Sequence, residues 1–390
     1  MNTATIAQVI SISPDLSPRA RVGRYAVVTA LFSIAAFGNE ATRTLFWETL
    51  SSAYISVTVF VALTLLIFYG LEHVLRVDIG ALLEKYRKHQ IPVAALLGAL
   101  PGCGGAIMVV TQYSIGRAGF GSVVAVLTST MGDAAFLLIA KEPVTGLAIM
   151  AMSIVVGTVS GYVVELIHGY DFLGVDNESK ISKSCPPFNF GKLNWPWFAL
   201  LVPGILFGLL AAFQVDIDQA VGVPGAELSI GALGAMMSLA LWFINPCTSA
   251  SYMNRTNADM AGGVWDKTTT DTCFVTVWVV IAFLLFELTV LWTGWDLKAV
   301  FATAGAIMPL TGILIGLIPG CGPQVLTTGL YLAGAIPLSA QIGNAISNDG
   351  DALFPALAVA PKASLLATIY TMVPAVLVAY GYFFVIELRG

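Results

Sequence analysis

Eleven apolar runs fill this chain, and a run long enough to span hydrocarbon leaves its backbone almost no choice of structure. Inside a bilayer no water is present to pair with amides and carbonyls, so only helices or closed barrels can cross. The runs fall at about 23–38, 51–75, 92–116, 119–141, 143–168, 197–213, 228–245, 272–293, 303–333, 339–360 and 363–388. Most exceed the ~20 residues a spanning helix needs, whereas a spanning strand needs only about half that. The chain therefore reads as an all-α polytopic membrane protein. Composition agrees: 11% of the 390 residues are charged, against about a quarter in soluble domains. The five cysteines form no CxxC and no framework spacing, which excludes a disulfide scaffold. Residues 1–22 are polar, with Pro14, Pro18 and Arg19, and read as a cytoplasmic tail without the apolar core of a signal peptide.

Two of the apolar stretches are near-copies. Pro101-Gly102-Cys103-Gly104 opens one and Pro319-Gly320-Cys321-Gly322 opens the other. Thirty residues beyond each cysteine, without a gap, both reach Gly-Asp-Ala, at Gly132-Asp133-Ala134 and Gly350-Asp351-Ala352. Tyr113 and Tyr331, and Gly116 and Gly334, keep the same 218-residue offset. The likeness extends outward: Asn39 after Phe37 resembles Asn245 after Phe243, and Glu72 resembles Glu287. The expected organisation is a first repeat over 23–168, a linker and extra helix over 169–227, and a second repeat over 228–390.

The repeated Pro-Gly-Cys-Gly splits its run into two arms of about 14–16 Å each, half of a ~30 Å core. If all eleven runs cross, the eighteen Lys and Arg divide almost evenly between the two sides. If 92–116 and 303–333 are re-entrant or broken hairpins, only Arg43, Lys141, Lys298 and Arg389 fall outside, and the other fourteen fall inside. The positive-inside rule favours this second arrangement of nine crossing helices plus two hairpins. It places the N-terminus in the cytoplasm and the C-terminus outside. It also inverts the two repeats, so their hairpin tips approach the midplane from opposite faces.

Such tips free backbone groups at a depth where they must be buried in protein or face a cavity. Cys103 and Cys321 stand there as donors for a soft or borderline metal. The alternative is a buried cysteine acting as a small apolar residue. Asp133 and Asp351 are costly intramembrane carboxylates beside helix-weakening glycines, and such acids mark function by default. The second copy adds Asn348 and Asp349 as oxygen donors. Acids from the two repeats brought together in low dielectric cannot both stay ionised, so an arriving cation would displace a proton. Asn39, Asn245, Cys247, Glu72 and Glu287 are secondary candidates as further ligands or proton relays, with helix caps and interfacial ion pairs as the alternative. Gln112 and Gln324 follow the two tips at unequal offsets and rank lower. The chain carries no nucleotide loop, zinc signature or nucleic-acid patch.

The paired PGCGG and PGCGP motifs, each followed by GDA, resemble a family of bacterial heavy-metal exporters with about ten membrane segments, labelled arsenic efflux or manganese transporter proteins. The resemblance implies an inner-membrane permease for a metal or metalloid. It is most specific in the repeat cores, and the His-rich collecting loop of some metal exporters is absent. The leading expectation is a non-enzymatic secondary transporter that exports a divalent cation, manganese first, by proton exchange. A mixed Asp, Asn, carbonyl and thiolate set suits a borderline ion. A carrier of arsenite or a small anion bound at the tips is the alternative. A membrane thiol enzyme using Cys103 and Cys321 lacks any base or cofactor motif. The expected partners are the bilayer, the transported ion, protons and a second copy of the chain, with no resident cofactor.

Overall fold

A computed structural model describes residues 18–75, 85–100, 104–114, 116–132, 134–173, 190, 193–213, 215–245, 263–294 and 305–388. Among them every regular element is helical. In the first repeat these are α1 (Pro18–Phe37), α2 (Glu40–Ser52), α3 (Val59–Leu75), α4 (Arg87–Ala99), α5 (Gly104–Ser114), α6 (Phe120–Ser129), α7 (Ala134–Lys141) and α8 (Pro143–His168). Then come α9 (Asn194–Ala212) and the short α10 (Ile217–Val221). The second repeat contains α11 (Ala226–Ile244), α12 (Gly263–Thr293), α13 (Met308–Gly316), α14 (Cys321–Leu332), α15 (Leu338–Ser347), α16 (Leu353–Val359) and α17 (Pro361–Tyr382).

The duplication read from the residues recurs in the backbone. Helices α6 and α15 begin and end at the same offset of 218. The residues that follow them share a conformation: Thr130 has φ −76 and ψ 120, Asn348 has φ −81 and ψ 120. Next, Gly132 has φ 52 and Gly350 has φ 59. This left-handed conformation strains any residue with a Cβ, and it is what breaks both helices in mid-run.

Six helices are long and apolar enough to cross a membrane among the described residues: Glu40–Leu71, Pro143–His168, Asn194–Ala212, Ala226–Ile244, Gly263–Thr293 and Pro361–Glu387. The bent pair α6 and α7 would make a seventh. Of the nine expected crossings, then, 119–141 and 339–360 are broken helices, and 23–38 is the shorter α1. Two crossings also start earlier than their apolar runs, at Glu40 and at Gly263. The polar start of α12, Asp266 to Thr272, stays helical because it is buried in protein rather than facing lipid.

The chain forms two compact units that cut each repeat in two. The first comprises residues 1–76, 177–208 and 217–288, and the second 77–176, 209–216 and 289–390. In the first unit α2 packs on α11. A π-helical turn, Ala53–Thr58, links α2 to α3. Thr58 and Thr276, themselves 218 apart, share a hydroxyl hydrogen bond of 3.0 Å. A polar network lies beside this pair: the Tyr69 hydroxyl donates to Asp271 at 2.6 Å. The Lys267 ammonium lies 4.0 Å from the Tyr69 ring centre. At the rim, outside the spanning helices, the amides of Glu227 and Gly225 donate to Asp218. Those bonds, Glu227's first, hold the Asp218 carboxyl below its ordinary range.

The second unit holds both Pro-Gly-Cys-Gly regions and both Gly-Asp-Ala regions. Its packing is paired. Helix α4 lies on α6 as α13 lies on α15, and α8 lies on α6 as α17 lies on α15. Among the contacts that cross between repeats, α5 packs on α16 and α14 packs on α7. In each case the helix after one repeat's tip rests on the helix after the other repeat's break. Close approach depends on missing side chains. A Cβ on Gly98 would lie 2.4 Å from Ser129 Oγ, and one on the equivalent Gly316 would lie 2.1 Å from Ser347 Oγ. Where α4 and α5 meet, a Cβ on Gly105 would lie 2.1 Å from the Leu97 carbonyl oxygen.

Candidate functional site

The site is built where the second repeat's chain is broken twice. Helix α13 ends at Gly316, and Gly320 (φ 122, ψ 155) turns the chain into α14. That φ is open to glycine alone. Helix α15 ends at Ser347, after which Asn348 is extended, Gly350 is left-handed, and a 3-10 turn over Gly350–Ala352 leads into α16. The Asn348 Oδ1 accepts from the Gly350 amide at 2.5 Å and so closes the break locally.

Within the second break lie two buried carboxylates. Asp349 is 2% exposed and Asp351 0%. Asp349 Oδ2 accepts from the Thr368 hydroxyl on α17, while its Oδ1 has no protein partner. Helices α14 and α15 are joined by a short turn and pack as antiparallel neighbours. Gln341 Nε2 donates to Thr328 Oγ1 at 2.9 Å, which sets their register near that turn. Gln324 stands one turn before Thr328 on α14, and Asn344 stands one turn after Gln341 on α15.

That register exposes a set of residues that the sequence reading missed or ranked low. Gln324, Gln341 and Asn344 are each at most 1% exposed. Asn344 Nδ2 donates to the Gly312 carbonyl at 3.1 Å, which orients its amide. Gln324 Oε1 and Nε2, Gln341 Oε1 and Asn344 Oδ1 have no protein partner. A buried polar atom without a partner costs about 1–3 kcal/mol. The first repeat builds the same pair of helices without them: at the matching positions stand Ala106, Val123 and Val126. The fold does not require these amides. A comparison of the two copies for polarity, rather than for identity, would have found them in the sequence.

The other expected residues are placed as follows. Cys321 begins α14, with Pro319, Gly320 and Gly322 around it, and Gly104 begins α5. Pro101, Gly102, Cys103, Asp133 and Cys247 lie outside the described residues. The secondary candidates that the structure describes belong to the first unit. Asn39 caps α2, its Oδ1 accepting from the Thr42 amide at 2.8 Å. Asn245 is buried at the end of α11, and its carbonyl accepts from the Arg24 guanidinium. Glu72 lies in α3, and Glu287 is half-buried in α12. Among the described residues no three His, Cys, Asp or Glu side chains gather around one point. The second unit buries two carboxylates, Asp349 and Asp351, and the three neutral amides of Gln324, Gln341 and Asn344, all of them oxygen donors.

The chain belongs to the ArsP_2 family, described as "putative, 10TM heavy-metal exporter", whose family model matches residues 41–386. No curated protein and no solved structure matches it.

Proposed function

We propose that this member of a heavy-metal exporter family is a secondary transporter that expels a divalent cation, manganese first, in exchange for protons. The substrate is held in the second unit, where the Pro-Gly-Cys-Gly turn meets the broken helix. The observation that carries this reading is the pair Asp349 and Asp351, both almost fully buried. Burying two such carboxylates is costly unless a cation neutralises them. Asp349 Oδ1 is an oxygen with no protein partner. Asn348, the tip carbonyls and the Cys321 thiol are the remaining donors from this repeat. Asp133 and Cys103 are those expected from the other.

The mechanism follows from paired breaks. The segments 92–116 and 303–333 act as re-entrant hairpins, and the repeats are inverted about a two-fold axis. Support comes from the close approach of Gly105 at the start of α5 to Leu97 in α4, from the crossed packing of α5 on α16 and α14 on α7, and from the contact of Thr58 with Thr276. A dication entering the site displaces the proton shared among its acids. An inward proton gradient then drives the ion outward as the repeats rock about the site. In a bacterial inner membrane this sets the N-terminus in the cytoplasm and the C-terminus outside.

Uptake into proteoliposomes, with a panel of divalent metals and oxyanions and with or without a pH gradient, tests the reading. Manganese accumulation that needs the gradient is expected, and Asp349→Asn and Asp351→Asn should each abolish it. Transport of arsenite with both variants active would replace the cation with a thiol-binding metalloid. Metal transport indifferent to the gradient would remove the proton coupling.

A further inference from the structure

We propose that the amide-lined face between α14 and α15 binds a monovalent alkali cation, at a place distinct from the paired acids. Three carbonyl oxygens, Gln324 Oε1, Gln341 Oε1 and Asn344 Oδ1, are buried there without a protein partner. The donor ends of two of these amides are already engaged, Gln341 with Thr328 and Asn344 with the Gly312 carbonyl. Their oxygens are therefore the ends left for a ligand. Gln324 on α14 and Asn344 on α15 each stand one helical turn from the Gln341–Thr328 bond, on the same side of it along the antiparallel pair.

The chemistry of this set selects its ligand. Neutral carbonyl dipoles replace the water around an alkali cation, as rings of carbonyls do in ion filters. A dication held by neutral oxygens alone in low dielectric would keep most of its charge uncompensated. An anion would need donors, and only Gln324 Nε2 remains without a partner. Protons are excluded because amides do not titrate at accessible pH. The first repeat serves as a built-in control: Ala106, Val123 and Val126 occupy the equivalent positions, so this face is polar in one copy only.

The inference is independent of which metal is exported, and its test uses binding rather than transport. The purified full-length protein would be unfolded thermally in sodium, potassium or N-methylglucamine chloride at equal ionic strength, with radiolabelled sodium binding measured in parallel. A saturable rise in Tm is expected with an alkali cation over N-methylglucamine. Asp349→Asn and Asp351→Asn should keep it. Gln324→Leu, which breaks no protein hydrogen bond, should weaken the apparent affinity at least tenfold. The combination Gln324→Ala, Gln341→Val and Asn344→Val, which copies the first repeat, should eliminate the rise. Equal Tm in all three salts, meaning that the face holds water only, would overturn the proposal. So would a rise that survives the combined variant, or one that disappears with either acid. Failure of metal export in proteoliposomes would leave these outcomes unaffected.

Discussion

Asp349 and Asp351 stand two positions apart on a chain that has just left one helix and not yet entered the next. Their burial is maintained by the Thr368 hydroxyl on one and by a 3-10 turn around the other. A neutral amide at either position keeps the shape and removes the charge that holds a dication. Transport should therefore fall at least tenfold in each Asn variant. Cys321→Ser should instead reorder the preferred metals, since a hydroxyl keeps a hard donor and loses the soft one. Tracer flux with manganese, zinc and cadmium separates the two outcomes. A different acid, Asp271, serves stability. It accepts from Tyr69, and the buried Lys267 lies one helical turn before it. Asp271→Leu leaves that ammonium uncompensated and should cost about 3–5 kcal/mol, whereas replacing both, with Lys267→Met, should restore most of it. Thermal unfolding in detergent reads both values, and a pair no more stable than the single variant would refute the pairing.

At the scale of elements, two kinds of glycine have separate effects. Gly316 lets α13 approach α15, with Ser347 Oγ where its Cβ would be. Gly316→Ala should cost about 1–3 kcal/mol by overpacking. Adding Ser347→Gly should return most of that, because the clash is with one hydroxyl. At Gly98 a Cβ would also lie 2.3 Å from the Val126 carbonyl oxygen, so Ser129→Gly should not return the cost of Gly98→Ala. Gly350 acts through its backbone: with φ 59 it reverses the chain after Asp349. Gly350→Ala should cost about 1 kcal/mol in stability and more than that in transport, since it displaces both acids. Binding isotherms for manganese alongside Tm would distinguish displacement from unfolding.

For the whole molecule, the contact of Thr58 with Thr276 carries the most information. In the proposed inverted arrangement, a residue that touches its own counterpart lies on the axis relating the two copies. Thr58→Cys with Thr276→Cys, in a background without native cysteines, should form an oxidation-induced cross-link, which proteolysis within the 169–196 linker would reveal as a covalent join. Absence of the link would place the axis elsewhere. The proposed orientation has its own check. A cysteine at Ser182 should resist an impermeant thiol reagent added outside intact cells, and labelling from outside would overturn the two hairpins. The residues alone determined the membrane class, the duplication and the break at Pro319-Gly320, whereas the breaks after Ser129 and Ser347 fall in runs that read as crossing helices. These depend on composition and on local backbone preference: apolar length fixes what crosses, and Gly-Pro spacing fixes what cannot remain helical. Only the tertiary structure decided that each repeat divides between two units, and that Asn39, Asn245 and Glu287 belong to one while Asp349 and Asp351 belong to the other. It also decided that three amides on α14 and α15 are buried with their oxygens left without a protein partner. Linear spacing carries no such information, because helix partners are chosen by surfaces that fit, a missing Cβ against a serine or one turn opposite another, and those surfaces form only when distant segments meet.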